Sequence, residues 1–173
     1  MKHPKRSALI VPIRSSENRE YLPIDLFGPD VTVNNLAYAI YDGNLINLSM
    51  ITSRLHLTWI SAVCGKLETR FSYSSKMGWN TFPVPPLSEK NKADLTRCAE
   101  DILLAREAHF PATIAELYDP ERMDRDFPDL RAAHDRNDEV LERIYVGRRF
   151  RNDTERLEKL FELYTRMNKK ATA

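Results

Sequence analysis

Between residues 54 and 80 lie Arg54, His56, Lys66, Arg70, Lys76, Trp79 and Asn80, a set whose side chains could hold a nucleic acid. Arginine and lysine bind phosphate oxygens or guanine edges, asparagine pairs with adenine, and an indole stacks or wedges between bases. The mixture suits groove reading. The same residues also have an ordinary explanation. Scattered arginines are usually solvated, Trp59 belongs in a core, and Tyr73 and Trp79 are large enough to pack rather than touch a ligand.

Charge narrows this only a little. The chain has 26 Lys plus Arg and 25 Asp plus Glu, a formal net charge of +1, so it is not a strongly basic binder throughout. Residues 1–86 hold 9 basic and 6 acidic side chains, leaving 17 and 19 of those totals for residues 87–173. Any contact with phosphate is therefore expected in the first half.

Several chemistries lack their residues. The five glycines, Gly28, Gly43, Gly65, Gly78 and Gly147, are isolated and never form the G-x-G turn that cradles a nucleotide or an adenosyl group. Pro85-Pro86 is preceded by Val84 and followed by Leu87, so there is no Asn/Asp-Pro-Pro-aromatic loop to receive an extruded base. No Asp or Glu has Lys two positions later, the spacing many nucleases use to hold metal and activate water. Cys64 and Cys98 have neither a C-x-x-C nor a Cys/His spacing for zinc, which fits a reduced, cytoplasmic chain. His56 falls one position off an apolar stripe, and His134 lies beside Asp135 and one turn from Asp138. Both are expected in ordinary surface or hydrogen-bonding roles. The basic start from Met1 to Arg6 leads into only Ser7 to Ile13 before Arg14, and no apolar run approaches the roughly 18 residues of a membrane span. No signal peptide, membrane anchor, metal or cofactor is expected of this chain.

The elements that must position these groups follow from periodicity. Ala8 to Ile13 is an apolar run of strand length, and Asp30 to Asn34 alternates as a strand does. Leu36 to Tyr41 reads as a third strand or a short helix, ending in the Asp42-Gly43 turn pair. From Leu45 to Cys64, Leu48, Ile51, Leu55, Trp59 and Val63 recur at helical spacing, and Gly65 is placed as a C-cap, which predicts one long helix. Phe71 to Phe82 reads as a strand or an extended loop, running into Pro83-Val84-Pro85-Pro86, where three prolines preclude a helix interior.

Beyond that boundary, Ser88 is placed to cap a helix carrying Leu95, Cys98, Ala99, Ile102 and Leu103 on one face. Pro111 and Tyr118-Asp119-Pro120 interrupt it. A second helix carries Leu130, Ala133, Val140, Leu141 and Ile144. Asn152 to Glu155 has capping-box spacing ahead of a third, with Leu157, Leu160, Phe161 and Tyr164. The polar stretch from Asn168 to Ala173 closes the chain. The expected class is α+β: short strands and one long helix over residues 1–86, then a small helical bundle over residues 87–173.

Particular runs carry a resemblance. Ser53-Arg54-Leu55-His56-Leu57-Thr58-Trp59, Ala62 to Leu67, Tyr73-Ser74 and Asn80-Thr81-Phe82-Pro83 resemble the end of the target-recognition domain of MmeI-like (type IIL) restriction-modification DNA methyltransferases. Ser16 to Pro23 is similar to that domain's strand-entry segment. Ala105-Arg106-Glu107, Leu117 to Pro120, Ala133-His134 and Phe161 to Tyr164 resemble the family's helical C-terminal domain. The resemblance implies a non-catalytic region that recognises double-stranded DNA for adenine-N6 methylation. S-adenosylmethionine and the catalytic loop would lie in a methyltransferase domain upstream of this region, with the target base flipped into that domain. Arg54, Lys66, Arg70 and Lys76, with Asn80, are the residues expected to touch DNA. The alternative is a protein-interaction module whose acidic helical half docks on a partner domain or subunit. Where the family commonly has Arg-Tyr-Ser and a Trp before the last proline of its Phe-Pro-Trp-Pro ending, this chain has Ser72 and Val84, removing one cation and one aromatic contact.

Overall fold

The computed structural model describes residues 7–171, with side chains as far as residue 169; the basic start and the last residues of the polar tail lie outside that range. Strand β1 (Ala8–Pro12) is central in a three-stranded antiparallel sheet, between β3 (Asp25–Phe27) and β4 (Ala37–Tyr41). Leu9 pairs with Leu26 on one side and Ile40 on the other. Because side chains alternate along a strand, fully buried Leu9 and Val11 face the core together. Leu36 to Tyr41 is thus a strand and not a helix. It ends at Asp42, which adopts φ 57, while Gly43 is required by close approach: a Cβ there would lie 2.8 Å from the Leu9 side chain.

The strand expected at Asp30 to Asn34 does not form. Both sides of β1 are taken by β3 and β4, and the segment of Val31 and Val33 pairs with neither outer edge of that sheet, so Val31 stays exposed. The single helix expected from Leu45 to Cys64 is two: α1 (Leu45–Ile51) and α2 (Arg54–Val63). Hydroxyl groups make the break. Ser53 Oγ donates to Met50 O at 2.6 Å and accepts from the His56 N–H at 3.1 Å, while Thr52 Oγ1 donates to Leu22 O at 3.1 Å. Such local side-chain bonds offer the backbone an alternative to the helical ladder. Gly65 is not a left-handed cap either. Helix α2 ends on extended Cys64 and runs directly into β5 (Gly65–Leu67).

Strands β5, β6 (Arg70–Ser72) and β2 (Arg14–Ser15) make a second antiparallel sheet in the order β2-β6-β5. Of the stretch expected to be extended, only its start pairs as β6. Ser75–Trp79 winds into a π-helical turn, where a Cβ on Gly78 would crowd Ile60 and Tyr73 at 3.2 Å.

The bundle consists of three long helices, α3 (Glu89–Ala108), α6 (Pro128–Val146) and α7 (Asp153–Ala171), with short α4 (Ile114–Leu117) and α5 (Met123–Asp126) between the first two. Ser88 caps α3 by accepting from the Asn91 N–H, and Gly147 ends α6 at φ 78. Asn152 caps α7 from its side chain, but the Glu155 carboxylate bonds the Arg151 N–H rather than closing a reciprocal box on Asn152.

The main core passes straight across the proline segment. Leu48, Ile51, Leu55 and Trp59 pack with Leu95, Ala99, Leu141, Tyr145 and Leu160, and Tyr145 donates to Pro83 O at 2.8 Å. A second cluster of Ile102, Leu117, Tyr118, Met123, Phe127 and Leu130 takes in one residue from the first half, Tyr21. Deleting a side chain such as Trp59 from this interior would cost about 3–5 kcal/mol.

Candidate nucleic-acid interface

The β5–β6 hairpin stands out from the body of the protein. Every residue from Gly65 to Arg70 is exposed, and Glu68 turns the tip at φ 57. In register, Lys66 opposes Phe71 and Leu67 opposes Arg70, while Arg14 lies beside Ser72 in the third strand. One face therefore carries Ser15, Lys66 and Phe71, and the other Arg14, Gly65, Leu67, Arg70 and Ser72. Ser15 and Phe71 are buried, so their face lies on the protein and the Arg14–Arg70 face points outward. Lys66 extends its ammonium 5.6 Å above the Phe71 ring, a cation–π contact that leaves the charge at the surface.

The π-helical turn next to the hairpin adds Lys76, Met77 and Asn80, all exposed, with Trp79 half-buried behind them. Its support is rigid. Trp59 Nε1 donates to Thr81 Oγ1 at 3.2 Å, Thr81 in turn donates to Met77 O, and Ser74 caps the turn by accepting from the Met77 N–H. Below lies His56, fully buried, with Nε2 3.2 Å from the Tyr73 hydroxyl and its ring edge-on to Phe82 at 4.7 Å. Burial pushes this imidazole down to about 3, so it is neutral and acts as a prop. His134 is equally buried, 2.7 Å from the Tyr118 hydroxyl and stacked on Tyr21, and burial holds it well below the usual imidazole range. Both histidines take the hydrogen-bonding role that sequence allowed rather than the surface one.

Four of the five expected residues are thus exposed on the hairpin and the turn that follows it in sequence: Lys66, Arg70, Lys76 and Asn80. Arg54 stands apart. Its backbone N–H donates to Asp138 at 2.9 Å, its guanidinium pairs with Glu20, and it lies 5.8 Å from the Tyr21 ring centroid. That engagement makes it part of the junction between the halves. Arg14 is the residue that sequence reasoning missed. It sits on a strand of two residues, too short for any periodicity to announce it. Among the described residues none of Arg14, Lys66, Arg70 and Lys76 forms an ion pair; Glu17 acts on Lys66 and Arg70 from longer range.

No cluster of His, Cys, Asp and Glu among the described residues could hold a metal ion, and no helix there is long and apolar enough to cross a membrane. Burial raises both thiols, Cys98 to about 11, which is the opposite of nucleophilic activation. Gly43 and Gly78 turn their missing side chains toward Leu9, Ile60 and Tyr73, which leaves no backbone cradle at those positions for an adenosyl group.

Comparison with known proteins places this geometry. Residues 1–86 match the family model of the MmeI target recognition domain, and residues 87–172 that of the MmeI C-terminal domain. DNA methyltransferase A of Bacillus subtilis (strain 168) is 41% identical over 163 residues, which is 94% of this chain and 18% of that protein. The solved structure of the type IIL restriction-modification enzyme MmeI in complex with DNA aligns with a TM-score of 0.91 and 31% identity, covering 98% of this chain and 22% of that one. The chain spans about a fifth of the length of these relatives. It belongs to the MmeI family of restriction-modification enzymes and carries that family's target-recognition and C-terminal domains.

Proposed function

We propose that this region reads double-stranded DNA through the β5–β6 hairpin and the π-helical turn, on behalf of an adenine-N6 methyltransferase domain elsewhere in a longer cytoplasmic protein. The observation that carries the reading is a set of exposed cations: Lys66 and Arg70 on the two-stranded ribbon, Arg14 on strand β2 beside it, and Lys76 on the turn that follows. A two-stranded ribbon is narrow enough to enter a major groove, and guanidinium and carboxamide groups are the usual readers of base edges there. Asn80 and Met77 stand beside those cations, able to pair with an adenine edge and to make apolar contact. In this reading residues 1–86 do the recognition and residues 87–173 support it. S-adenosylmethionine would be held by the methyltransferase domain, into which the target base is flipped.

The test is an Arg70→Ala/Lys76→Ala double variant, assayed by gel shift and by anisotropy across a salt series. Loss of two phosphate contacts lowers the slope of log K against log salt by about 1.8. An unchanged affinity and slope would remove these two residues from the interface.

One observation favours protein contact as a second role for the helical half. Phe110 is 87% exposed at the end of α3, beside a cleft lined by Leu26, Leu103, Ala112 and Ile114. A partner domain seated there would bind with little dependence on salt, whereas DNA binding at the hairpin is steeply salt-dependent.

A further inference from the structure

The hairpin is tied to the helical half by one continuous segment, residues 13–21. At its start Ile13 O accepts from the Tyr73 N–H at 2.8 Å, and β2 then pairs with the hairpin strand β6 through Arg14↔Ser72 and Ser15↔Phe71. Six residues past the last pairing, Tyr21 is 1% exposed in the second hydrophobic cluster, otherwise built from the helical half.

Each residue from 19 to 21 holds that half by a different bond. Arg19 Nε donates to Tyr118 O at 3.2 Å. Glu20 pairs with Arg131 at 2.8 Å as well as with Arg54. The Tyr21 hydroxyl donates to Asp138 Oδ2 at 3.0 Å, its ring stacks 4.2 Å from His134, and the Arg54 and Arg131 guanidiniums lie 5.8 and 5.6 Å from its centroid. In the same segment Glu17 faces the hairpin tip, where Thr69 and the charges of Arg70 and Lys66 hold its carboxyl below the usual carboxylate range. The hairpin itself buries only Phe71, so it has little packing of its own to fix its angle.

We propose that residues 13–21 are a strut through which the helical half sets the position of the hairpin, with Glu20 and Tyr21 as its positioning residues. The proposal rests on the reading of the hairpin as the DNA-contacting element, and it makes side chains far from any DNA contact determinants of how well that contact is made. A rigid support of this kind lets a narrow ribbon meet base edges without first losing its own freedom.

The test compares the wild-type chain with Tyr21→Phe and Glu20→Gln, the second being at an exposed position where folding is retained. Amide hydrogen exchange is followed at Lys66 to Ser72 and, as an internal control, at Leu9 to Val11, alongside urea unfolding. Release of the strut speeds hairpin exchange about three- to tenfold and leaves the β1 amides unchanged. Hairpin exchange that stays at the wild-type rate, or that rises only in step with β1 as global stability falls, overturns the strut. Binding to a duplex DNA pool is measured on the same samples. If the hairpin loosens but neither these variants nor Arg70→Ala/Lys76→Ala change DNA binding, the strut stands and the DNA reading fails.

Discussion

The cations of the two halves differ in what they are free to do. In the helical half Arg122, Arg131, Arg143, Arg148, Arg149, Arg156 and Arg166 each pair with a carboxylate, so its surplus of acidic residues is largely internal wiring. On the hairpin, the β2 strand beside it and the turn, Arg14, Lys66, Arg70 and Lys76 form no ion pair among the described residues. Net charge separates the halves only weakly; the distinction lies in which cations the fold has already neutralised. Paired charges help to hold shape, whereas unpaired cations on an exposed ribbon are available to an outside anion.

The comparison breaks most easily at its strongest pair. Glu142 is 2% exposed on α6, accepts from Arg156 Nε at 2.8 Å and Nη2 at 2.6 Å, and also takes the Phe150 N–H at 3.0 Å. Glu142→Ala leaves the Phe150 amide without its partner and the Arg156 guanidinium with Asp153 alone, a loss of about 3 kcal/mol, the low end for breaking a buried ion pair. Urea unfolding should show that loss, while Arg70→Ala leaves the midpoint where it was. Equal effects of the two substitutions would erase the contrast between wired and free charge.

The next effect lies at the junction. Burial raises the Asp138 carboxyl from 3.8 to about 6, opposed by the hydrogen bonds from the Arg54 N–H and the Tyr21 hydroxyl and by the Arg54 charge, and assisted by nearby Glu142. The folded protein therefore holds this proton more tightly than the unfolded chain does. Its contribution to stability is greatest below pH 4 and is lost as pH rises to 6, on the order of 2–3 kcal/mol. Asp138→Asn should flatten urea midpoints across that window. A wild-type and a variant profile that run parallel from pH 4 to 6 would show that the junction does not titrate there.

Legibility followed the length of the elements. α3, α6 and α7 run long enough for a 3.6-residue period to be unmistakable, and Ser88 marks its cap by residue type alone. The break at Thr52–Ser53 was hidden because the apolar stripe continues on both sides of it, while the bonds that make it, to Leu22 O and Met50 O, belong to the folded state. Asp30 to Asn34 has a strand's pattern but pairs with no strand of either sheet, an outcome that alternation alone does not announce. The site was less legible still. β5 and β6 have three residues each and β2 has two, and in the whole hairpin only Phe71 is buried, so no hydrophobic pattern marks it. Arg54 looked free because its partner Glu20 is 34 residues away in sequence. Resemblance to a family supplied the functional class that periodicity could not.

The smallest effects decide the most about the interface, because they separate two arginines that sequence treats alike. Arg54→Ala and Arg14→Ala each remove one guanidinium from the first half. Arg54 has its charge balanced by Glu20 beside the strut, and that pair is partly exposed, so its loss lowers the urea midpoint slightly and does little to phosphate binding. Arg14 has no such partner among the described residues and faces outward with Arg70, so its loss leaves folding alone and reduces the salt slope of DNA binding by about 0.9, one phosphate contact. Measured together by anisotropy and urea unfolding, the two variants should move opposite observables. If Arg54→Ala instead flattens the salt dependence and Arg14→Ala does not, the DNA path runs along α2 and the junction rather than over the outer face of the hairpin, and the strut would itself be part of the contact surface.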